Sequence, residues 1–494
     1  MRPTTACFLS WTFLAGGLAM GQVPGSDPLQ PSPIALPIPN LPELPAPVSV
    51  PLSPPVSVPT PVLDPTATPN PIGNPIGNPI GNPIGNPTGN PLGNVIQTPL
   101  GNPIGNPLQT PDVTAVGRQA PGENQNAGQQ PKPPSFRVYV GTYTNEKSKG
   151  EGIYQFTFDA GAGTLAGQSL AAKAANPSFL AIHPSQKFLY GVSEVGNYDG
   201  KSAGSVSSYA IDPKTGMLAL LNTESSGGAD PCAITVDRTG AVVLVANYSG
   251  GSVSAYPVSG DGRLGPATAM IQHRGSSKNQ GRQSSPHAHS TDMDPTNGRL
   301  IVADLGLDKL LVYSLDPQSG ALRPNIPPSA SLAPGAGPRH LAFHPDGRHA
   351  YVINELASTI TVFDYDSSRG TFSALETVHT RPDPKKGASY TAEVAVHPSG
   401  RFVYGSNRGD DTLAIFAVAP ASGKLTPVGF QPTGGKTPRN FAIDPTGQFL
   451  LCGNQDSNTI TTFRIDPKTG GLAPVGEPIP CPAPVCLRFV PIGE

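Results

Sequence analysis

The segment HLAFHP, at residues 340–345, decides the fold because it is one copy of a repeat that runs through most of the chain. It has the pattern of a short apolar strand ending in a His-Pro turn, and other copies end in Asp-Pro or a related pair. Seven copies occur, at FLAIHP (179–184), AITVDR (233–238), STDMDP (290–295), HLAFHP (340–345), EVAVHP (393–398), NFAIDP (440–445) and CLRFVP (486–491). The last residue of each copy, here called the anchor, recurs after roughly 50 residues, a spacing typical of repeat architectures.

A second mark gives the same count of seven. A tight turn followed by Gly-x-Leu or Gly-x-Phe ends at Leu165, Leu218, Leu264, Leu322, Phe372, Leu425 and Leu472. Between the two marks lie alternating strands rich in Val, Ile, Tyr, Phe and Thr, such as SVSAY (252–256) and TITVF (359–363). Each period therefore holds about four short strands, as the blade of a β-propeller does.

The two ends of the repeat are complementary. Residues 486–491 supply a first strand with no later strands behind it, whereas VYVGTY (138–143) and GIYQFTF (152–158) supply later strands without a first one. One blade is therefore predicted to form from both termini, which closes the ring and removes open sheet edges that invite aggregation. A sandwich pair or an open solenoid does not explain this arrangement. The sequence predicts an all-β, seven-bladed propeller over residues 135–494.

The first 134 residues have a different character. Residues 1–21 combine Arg2, an apolar stretch and small residues at the end, a pattern typical of a secretory signal peptide; a buried N-terminal strand is the alternative. Residues 22–134 lack aromatic side chains and carry NPIG repeats from Asn70, so they cannot bury enough apolar surface to offset chain entropy. We expect a secreted or periplasmic protein whose disordered linker, residues 22–134, could tether the propeller to the envelope or cell wall.

Composition excludes several functions. Lys and Arg number 32 against 34 Asp and Glu, and a net charge of −2 argues against a nucleic-acid binder. No apolar run reaches the ~18 residues that a membrane-spanning helix needs. Five cysteines are too few for a disulfide scaffold, although Cys481 and Cys486 could pair in an oxidising compartment. Cys232 and Cys452 are expected to be packed thiols.

The register of the repeat places two sets of residues on one face of the ring. In a blade the first strand lines the channel and the second runs back, so the residues before the first and after the second share a face, here called the rim. The slot six residues before each anchor holds Ser178, Cys232, His289, Arg339, Ala392, Arg439 and Val485. The slot ten residues after each internal anchor holds Glu194, Tyr248, Leu305, Glu355, Arg408 and Gln455. A structural slot should be uniform, and these are not, so they are the candidate functional positions.

Two other slots are uniform and are interpreted as structural. The slot before the anchor holds either His (His183, His344 and His397) or Asp (Asp237, Asp294 and Asp444) in six blades. A His/Asp slot in a turn indicates turn capping rather than a metal or catalytic set. The slot that ends the second strand holds Asn247, Asn354, Asn407 and Asn454, with Asp304 and Ser193 in two other blades. This asparagine favours a role in the hairpin turn over a ring of metal ligands.

Two basic loops, residues 271–283 and 379–387, are predicted to reach the same rim. The first carries His273, Arg274, Lys278 and Arg282, and the second carries Arg381, Lys385 and Lys386. Local positive charge in a nearly neutral chain favours an anionic small-molecule ligand, and two solvated loops are the alternative.

Several motifs occur in a recognisable order. They are PHAH (286–289), GAGPRH (335–340), FHP (343–345), VINEL (352–356), SNR (406–408), GFQPT (429–433) and PR (438–439). In this order and spacing the chain resembles the propeller lactonase family, which includes bacterial 6-phosphogluconolactonases and fungal carboxymuconate-cyclising enzymes. The resemblance covers about 136–494 and implies a seven-bladed propeller that hydrolyses a small-molecule lactone.

The resemblance also implies a site. The family's proposed site uses a His, a Glu and arginines on one rim, which correspond here to the candidate catalytic residues His287, His289, Glu355, Arg339 and Arg408. Candidate substrate-binding residues are Arg439, Glu194 and Glu393. Lactone hydrolysis needs a base for water and positive donors for the oxyanion, and either Glu355 or the motif histidine could be the base. No metal or cofactor is expected.

Two functions of different class remain open. The first is an exported hydrolase that opens an anionic, sugar-type lactone. The second is a non-catalytic propeller that presents its rim to a glycan or protein partner, and a metal-dependent lactonase or a redox propeller is a weaker third possibility. The best-known substrate of the family is a phosphorylated cytoplasmic sugar lactone, which an exported protein would rarely meet.

Overall fold

The computed structural model describes residues 133–492. The predicted signal peptide (1–21) and nearly all of the predicted linker (22–134) lie outside these residues. The described residues form β-strands in seven sheets, and no helix occurs among them. Within the same range, no segment forms a helix of the length and apolarity that a bilayer crossing requires.

Each sheet is one blade of antiparallel strands. Blade I contains β1 (Ser135–Thr142), β2 (Gly152–Asp159), β3 (Thr164–Lys173) and β29 (Pro484–Pro491); blade II contains β4 (Leu180–Ile182), β5 (Phe188–Ser193), β6 (Ser205–Ile211) and β7 (Leu218–Ser225). Blade III contains β8 (Pro231–Val236), β9 (Val242–Asn247), β10 (Ser252–Pro257) and β11 (Ala269–Gln272); blade IV contains β12 (Asp292–Met293), β13 (Arg299–Asp304), β14 (Lys309–Asp316) and β15 (Ala321–Ser331).

The other three blades repeat the pattern. Blade V contains β16 (Pro338–Phe343), β17 (His349–Asn354), β18 (Thr359–Asp366) and β19 (Thr371–His379). Blade VI contains β20 (Tyr390–Val396), β21 (Phe402–Arg408), β22 (Thr412–Val418) and β23 (Leu425–Pro432). Blade VII contains β24 (Pro438–Ile443), β25 (Phe449–Asn454), β26 (Thr459–Ile465) and β27 (Leu472–Pro474), with β28 (Ile479–Pro480) also paired to β26. The count of seven blades is confirmed.

Blade I closes the ring as predicted. Strand β29, from the C-terminal end, pairs antiparallel with β1, so that Phe136 faces Pro491 and Val140 faces Leu487. The first strand of this blade therefore comes from one end of the described chain and the other three from the opposite end.

The core lies between the blades. Seven buried apolar clusters fill the seven interfaces between neighbouring blades, for example Phe158 of blade I against Phe449 of blade VII, with ring centroids 5.6 Å apart. Buried tyrosines also bridge several of the interfaces. The Tyr351 hydroxyl, for example, donates to the carbonyl of Gly423 in the next blade, at 2.9 Å. Tyr139, Tyr190 and Tyr404 make the same bond to Gly216, Gly262 and Gly470.

The uniform slots are structural, as predicted. Nε2 of each turn histidine lies 2.8–3.1 Å from a glycine carbonyl in the next blade's turn, in the pairs His183–Gly240, His344–Gly400 and His397–Gly447. The side-chain amides of Asn247, Asn354, Asn407 and Asn454 are buried and donate to hydroxyl or carbonyl groups beside their own hairpins.

The cysteines of the described range are all free and buried. Cys481 and Cys486 do not pair, because they belong to different apolar clusters, one between blades VII and I and one between blades I and II. Cys452 and Cys232 are packed, as expected.

Candidate active site

A β-bulge in the innermost strand sets the direction of the first group of rim residues. In blade V, Pro338 faces Asn354 and His340 faces Ile353, which leaves Arg339 without a partner. Cys232 in blade III and Arg439 in blade VII are left unpaired in the same way. A bulge turns the side chain of its extra residue away from the direction that strand alternation would give it. The residue six positions before the anchor therefore does not follow that alternation.

The second group of rim residues stands where the second strand ends. Glu194, Tyr248 and Glu355 directly follow β5, β9 and β17, and Arg408 is the last residue of β21. Each of these strands is hydrogen-bonded to the innermost strand of its blade, so its end lies at the rim too.

The two groups enclose a pocket of about 310 Å³. Its lining is strongly polar and comes from blades II to VII: Glu194, Cys232, Tyr248, Arg282, His289, Glu355, Tyr390, Arg408 and Arg439. The volume lies at the low end of the range for small-molecule sites.

Glu355 is the centre of the charged network. Arg282 Nη2 donates to its Oε1 at 2.6 Å, and Arg408 Nη2 and Arg339 Nε lie 2.8 and 3.2 Å from its Oε2. Burial alone would raise the pKa of Glu355, but the charges of the three arginines outweigh it and lower the pKa to about 2. The carboxylate is therefore ionised throughout the physiological range.

Backbone carbonyls of blade VI hold two of these arginines in place. Arg339 Nη1 donates to the carbonyl of Ala392 at 2.7 Å, and Arg408 Nη2 donates to that of Thr391 at 2.8 Å. Burial lowers the pKa of Arg408 to about 10, which still leaves it charged at neutral pH. Arg339 lies almost fully buried beneath the pocket and reaches it only through Glu355.

His289 faces Glu355 from the side. Its Nε2 lies 3.9 Å from Glu355 Oε2, and its Nδ1 lies 3.6 Å from the sulfur of Cys232. Burial, followed by the charge of Arg339, lowers the pKa of His289 well below 6.5. The ring is therefore neutral at pH 7 and able to accept a proton.

The opposite wall carries a less constrained arginine. The guanidinium of Arg439 lies 5.4 Å from the centre of the Tyr143 ring, and the Tyr143 hydroxyl donates to Glu194 at 3.0 Å. Among the described residues, Arg439 has no carboxylate within 4 Å. Four arginines thus stand against two carboxylates around this pocket, which leaves it positively charged.

Three predicted site residues lie outside the pocket: Arg339, described above, His287 and Glu393. His287 stacks on Tyr248 with ring centroids 4.6 Å apart, and its Nδ1 lies 3.0 Å from the Tyr248 carbonyl. Glu393 lies deeper in the channel, in a separate cavity of about 250 Å³, where it binds His340 and Asn440. Only His289, of the two histidines in the motif, lines the pocket.

Four lining residues were not among the predicted site residues: Arg282, Tyr248, Tyr390 and Cys232, the last of which was expected only as a packed thiol. Arg282 belongs to the first basic loop, and its Nη2 also donates to the Tyr248 hydroxyl at 3.1 Å. Tyr248 occupies the same slot as Glu355, so its position carried a signal, whereas Tyr390 carried none. The second basic loop does not supply a charge: Arg381 binds Asp410 at 2.6 Å, and Lys385 is exposed.

Comparison with known proteins gives consistent matches. The 6-phosphogluconolactonase of Bacillus subtilis (strain 168) is 39% identical over 303 residues, which cover 61% of this chain and 83% of that protein. The 6-phosphogluconolactonase of Formosa agariphila is 34% identical over 308 residues, covering 62% of this chain and 85% of that protein. The solved structure of a periplasmic gluconolactonase from Pseudomonas aeruginosa is 35% identical, with a TM-score of 0.68, and the match covers 73% of this chain and 100% of that one.

The sequence profile described as "Lactonase, 7-bladed beta-propeller" matches residues 137–489, from within β1 to within β29. This range includes all seven blades and every residue of the pocket. The chain therefore belongs to the lactonase family of seven-bladed β-propellers.

Proposed function

We propose that this lactonase is an exported hydrolase that opens an anionic, sugar-type lactone by base-assisted attack of water. The observation that carries the proposal is the ionised Glu355 at the centre of an arginine-lined pocket. Membership of the family makes the chain a lactonase, and the relatives named above act on sugar lactones. The size of the pocket, about 310 Å³, suits a ligand of that class.

The charge of the pocket supports an anionic substrate. Arg408 and Arg282 are bound to Glu355, but Arg439 faces the pocket without a carboxylate partner in the described range. A guanidinium forms two parallel hydrogen bonds with a carboxylate or phosphate, so Arg439 would bind the anionic group of the substrate. An exported enzyme would meet a sugar carboxylate more readily than a cytoplasmic sugar phosphate.

We assign the role of base to His289 rather than to Glu355. Glu355, with a pKa of about 2, is a weak proton acceptor because three arginines hold its negative charge. His289 is neutral, and the imidazolium that it forms on taking a proton from water would be stabilised by Glu355, 3.9 Å away. Glu355 therefore acts as an electrostatic partner for both His289 and the arginines.

The reaction follows from these roles. Water loses a proton to His289 and adds through its oxygen to the lactone carbonyl carbon, and Arg408 and Arg282 stabilise the oxyanion. The ring C–O bond then breaks, and the proton held by His289 passes to the departing ring oxygen. The product is the open-chain hydroxy acid, with no co-reactant other than water.

Export rests on two observations. Residues 1–21 have the pattern of a signal peptide, and one structural neighbour is a periplasmic enzyme. The linker of residues 22–134 would then hold the propeller at the envelope or cell wall. Detection of the mature protein, cleaved near Gly21, in a periplasmic or secreted fraction would test this part separately.

A lactone panel tests the activity. The full chain is assayed on neutral and acidic sugar lactones, with Glu355→Gln and Arg339→Ala as variants and Gln455→Ala, in the same rim slot of blade VII, as the matched control. We expect hydrolysis by the wild type and the control and a large loss in both variants. Wild-type turnover no faster than that of the two variants, together with retained glycan binding, would instead support the binding-module function.

A further inference from the structure

One turn on the opposite face of the ring departs from the pattern of the others. Two residues after the turn His or Asp, the six internal turns hold Ser185, Thr239, Thr296, Asp346, Ser399 and Thr446. Five residues after it they hold Phe188, Val242, Arg299, His349, Phe402 and Phe449. In the turn of blade V, both of these positions carry potential metal ligands, Asp346 and His349, and His344 lies beside them.

The hydrogen bonds of this turn differ from those of its counterparts. In blade VI, Nε2 of His397 binds a glycine carbonyl, and the Ser399 hydroxyl lies 2.8 Å from Nδ1, where it can donate. The same arrangement holds for His183 and Ser185 in blade II, at 2.8 Å. In both turns the hydroxyl and the backbone amide of the serine can each donate to Nδ1.

In blade V the donor is replaced by an acceptor. Nε2 of His344 lies 2.8 Å from the Gly400 carbonyl, so this nitrogen carries the ring proton and Nδ1 carries a lone pair. The Asp346 amide donates to that Nδ1 at 3.2 Å, which agrees with this tautomer. Yet Nδ1 also lies 3.0 Å from Asp346 Oδ1, which is an acceptor as well. A cation bound between these two atoms would be held by both of them.

His349 completes a three-residue donor set. Its Nδ1 lies 2.8 Å from the other carboxylate oxygen, Asp346 Oδ2. Among the described residues, His344, Asp346 and His349 are the group of His, Cys, Asp and Glu side chains whose ligand atoms all lie within 4.8 Å of one another. Two imidazoles and a carboxylate are a donor set that suits zinc and similar divalent ions.

We propose that His344, Asp346 and His349 form a binding site for a divalent transition-metal ion of the zinc type. The bond from His344 Nε2 to the Gly400 carbonyl is the outer-shell contact that fixes a ligating histidine. The partly exposed Asp346 gives the ion a path from solvent. Arg348, whose Nη2 lies 3.8 Å from Asp346 Oδ2, is 70% exposed and free to turn away.

The surrounding fold holds the site in place. The ring of His349 packs against Gly423 of the next blade, as Phe188 packs against Gly262 and Phe402 against Gly470. The turn joins β16 and β17 at the end away from Arg339 and Glu355, and a six-residue strand places it roughly 20 Å from the pocket. Metal binding here would therefore strengthen the contact between blades V and VI and would not take part in hydrolysis.

Calorimetric titration of the full chain with Zn²⁺ alone tests the site, and the other turns supply matched replacements. Asp346→Ser and His349→Phe each install the residue that blades II and VI carry, so both variants should fold and keep the wild-type lactonase rate. We expect the wild type to bind one Zn²⁺ and to gain thermal stability from it, and each variant to lose at least tenfold in affinity. His183→Asp, which installs the residue of blade VII in blade II, should bind like the wild type.

Two outcomes would overturn the proposal. One is the same Zn²⁺ affinity and stoichiometry in the wild type, Asp346→Ser and His349→Phe. The other is the absence of any binding by the wild type at millimolar Zn²⁺. Neither outcome depends on lactonase activity.

Discussion

The rim and the opposite face of the ring are built from the same seven repeats but obey different rules. On the opposite face, His183, His344 and His397 occupy one slot and each bonds to a glycine carbonyl of the next blade. On the rim, the corresponding slots hold Arg339, Cys232 and Arg439 in different blades. In a repeat protein, uniform slots join the blades together, and variable slots are available for chemistry.

The two faces also treat charge differently. Around the pocket, Glu355 is buried with three arginines and ionised, an arrangement whose desolvation cost is rarely recovered as stability. On the opposite face, neutral hydrogen bonds such as Tyr351 to Gly423 occur beside buried carboxylates that backbone amides hold, such as Asp237 and Asp444. The contrast predicts that rim substitutions change activity most and substitutions on the other face change stability most.

The largest effect is expected from Glu355→Gln. The amide keeps the shape of the side chain but removes the charge that holds Arg282, Arg339 and Arg408, so kcat/KM should fall by roughly 10³-fold or more. Steady-state kinetics on the best lactone measures it. A Glu355→Gln enzyme whose kcat/KM stays within tenfold of the wild-type value would contradict the expectation that rim substitutions change activity most.

His289→Gln should lower kcat by roughly 10² to 10⁴-fold, as expected for loss of a general base. Because the pKa of His289 lies well below 6.5, kcat/KM should stay constant from neutral pH down past 6.5 and fall only when the ring becomes protonated. A His289→Gln enzyme whose kcat stays within tenfold of the wild-type value would identify Glu355 as the base.

The pKa of Glu355 also predicts how stability depends on pH. Its folded value, about 2, lies below the ordinary 4.5, so the stabilisation by ionised Glu355 is present above pH 4.5 and lost as pH falls towards 2. The free energy of unfolding should therefore fall more steeply over this interval in the wild type than in Glu355→Gln. Parallel urea titrations at several pH values measure the difference, and identical slopes would contradict the assignment.

Arg439→Gln should raise KM for acidic sugar lactones by roughly 10 to 100-fold, because a loss of affinity of this size corresponds to the free energy of one hydrogen bond to a charged group. Neutral lactones should show little change in KM, because the variant removes only the contact to the anionic group. An equal rise for both classes would assign Arg439 to the architecture of the pocket instead.

The smallest effect on activity is expected from Tyr351→Phe. The variant removes the bond to Gly423 between blades V and VI and should lower the free energy of unfolding by about 1 kcal/mol. The kcat/KM value should stay within a factor of two of the wild-type value. Steady-state kinetics measures this value, and a thermal melt of the same variant measures its stability. A large loss of activity without loss of stability would show that the two faces are coupled.

The sequence predicted the fold because its decisive features are periodic. The anchors gave the number of blades, and the strand patterns at 138–158 and 486–491 gave the closure between β1 and β29. The same period also predicted that Glu355, Arg408 and His289 share one rim, because their slots have fixed distances from the anchors.

What the sequence missed depends on local geometry that no period records. Glu393 lies five residues before its anchor, one position past the rim slot, and like His340 in blade V it lines the deeper cavity. The β-bulge at the rim slot separates the two positions. His287 and His289 lie two residues apart in a segment outside the strands. His287 stacks on Tyr248, whereas His289 meets the same ring edge-on and lines the pocket. Arg282 lies in a long loop outside the repeat, where register gives no position.

The central claim is that the arginine-lined rim pocket binds an anionic lactone for attack beside His289. A crystal structure of His289→Gln with an intact acidic sugar lactone tests it most directly. The account predicts the lactone carbonyl beside residue 289 and Arg408, with the anionic group on Arg439. A lactone bound outside this pocket, for example in the deeper cavity beside Glu393, would contradict it.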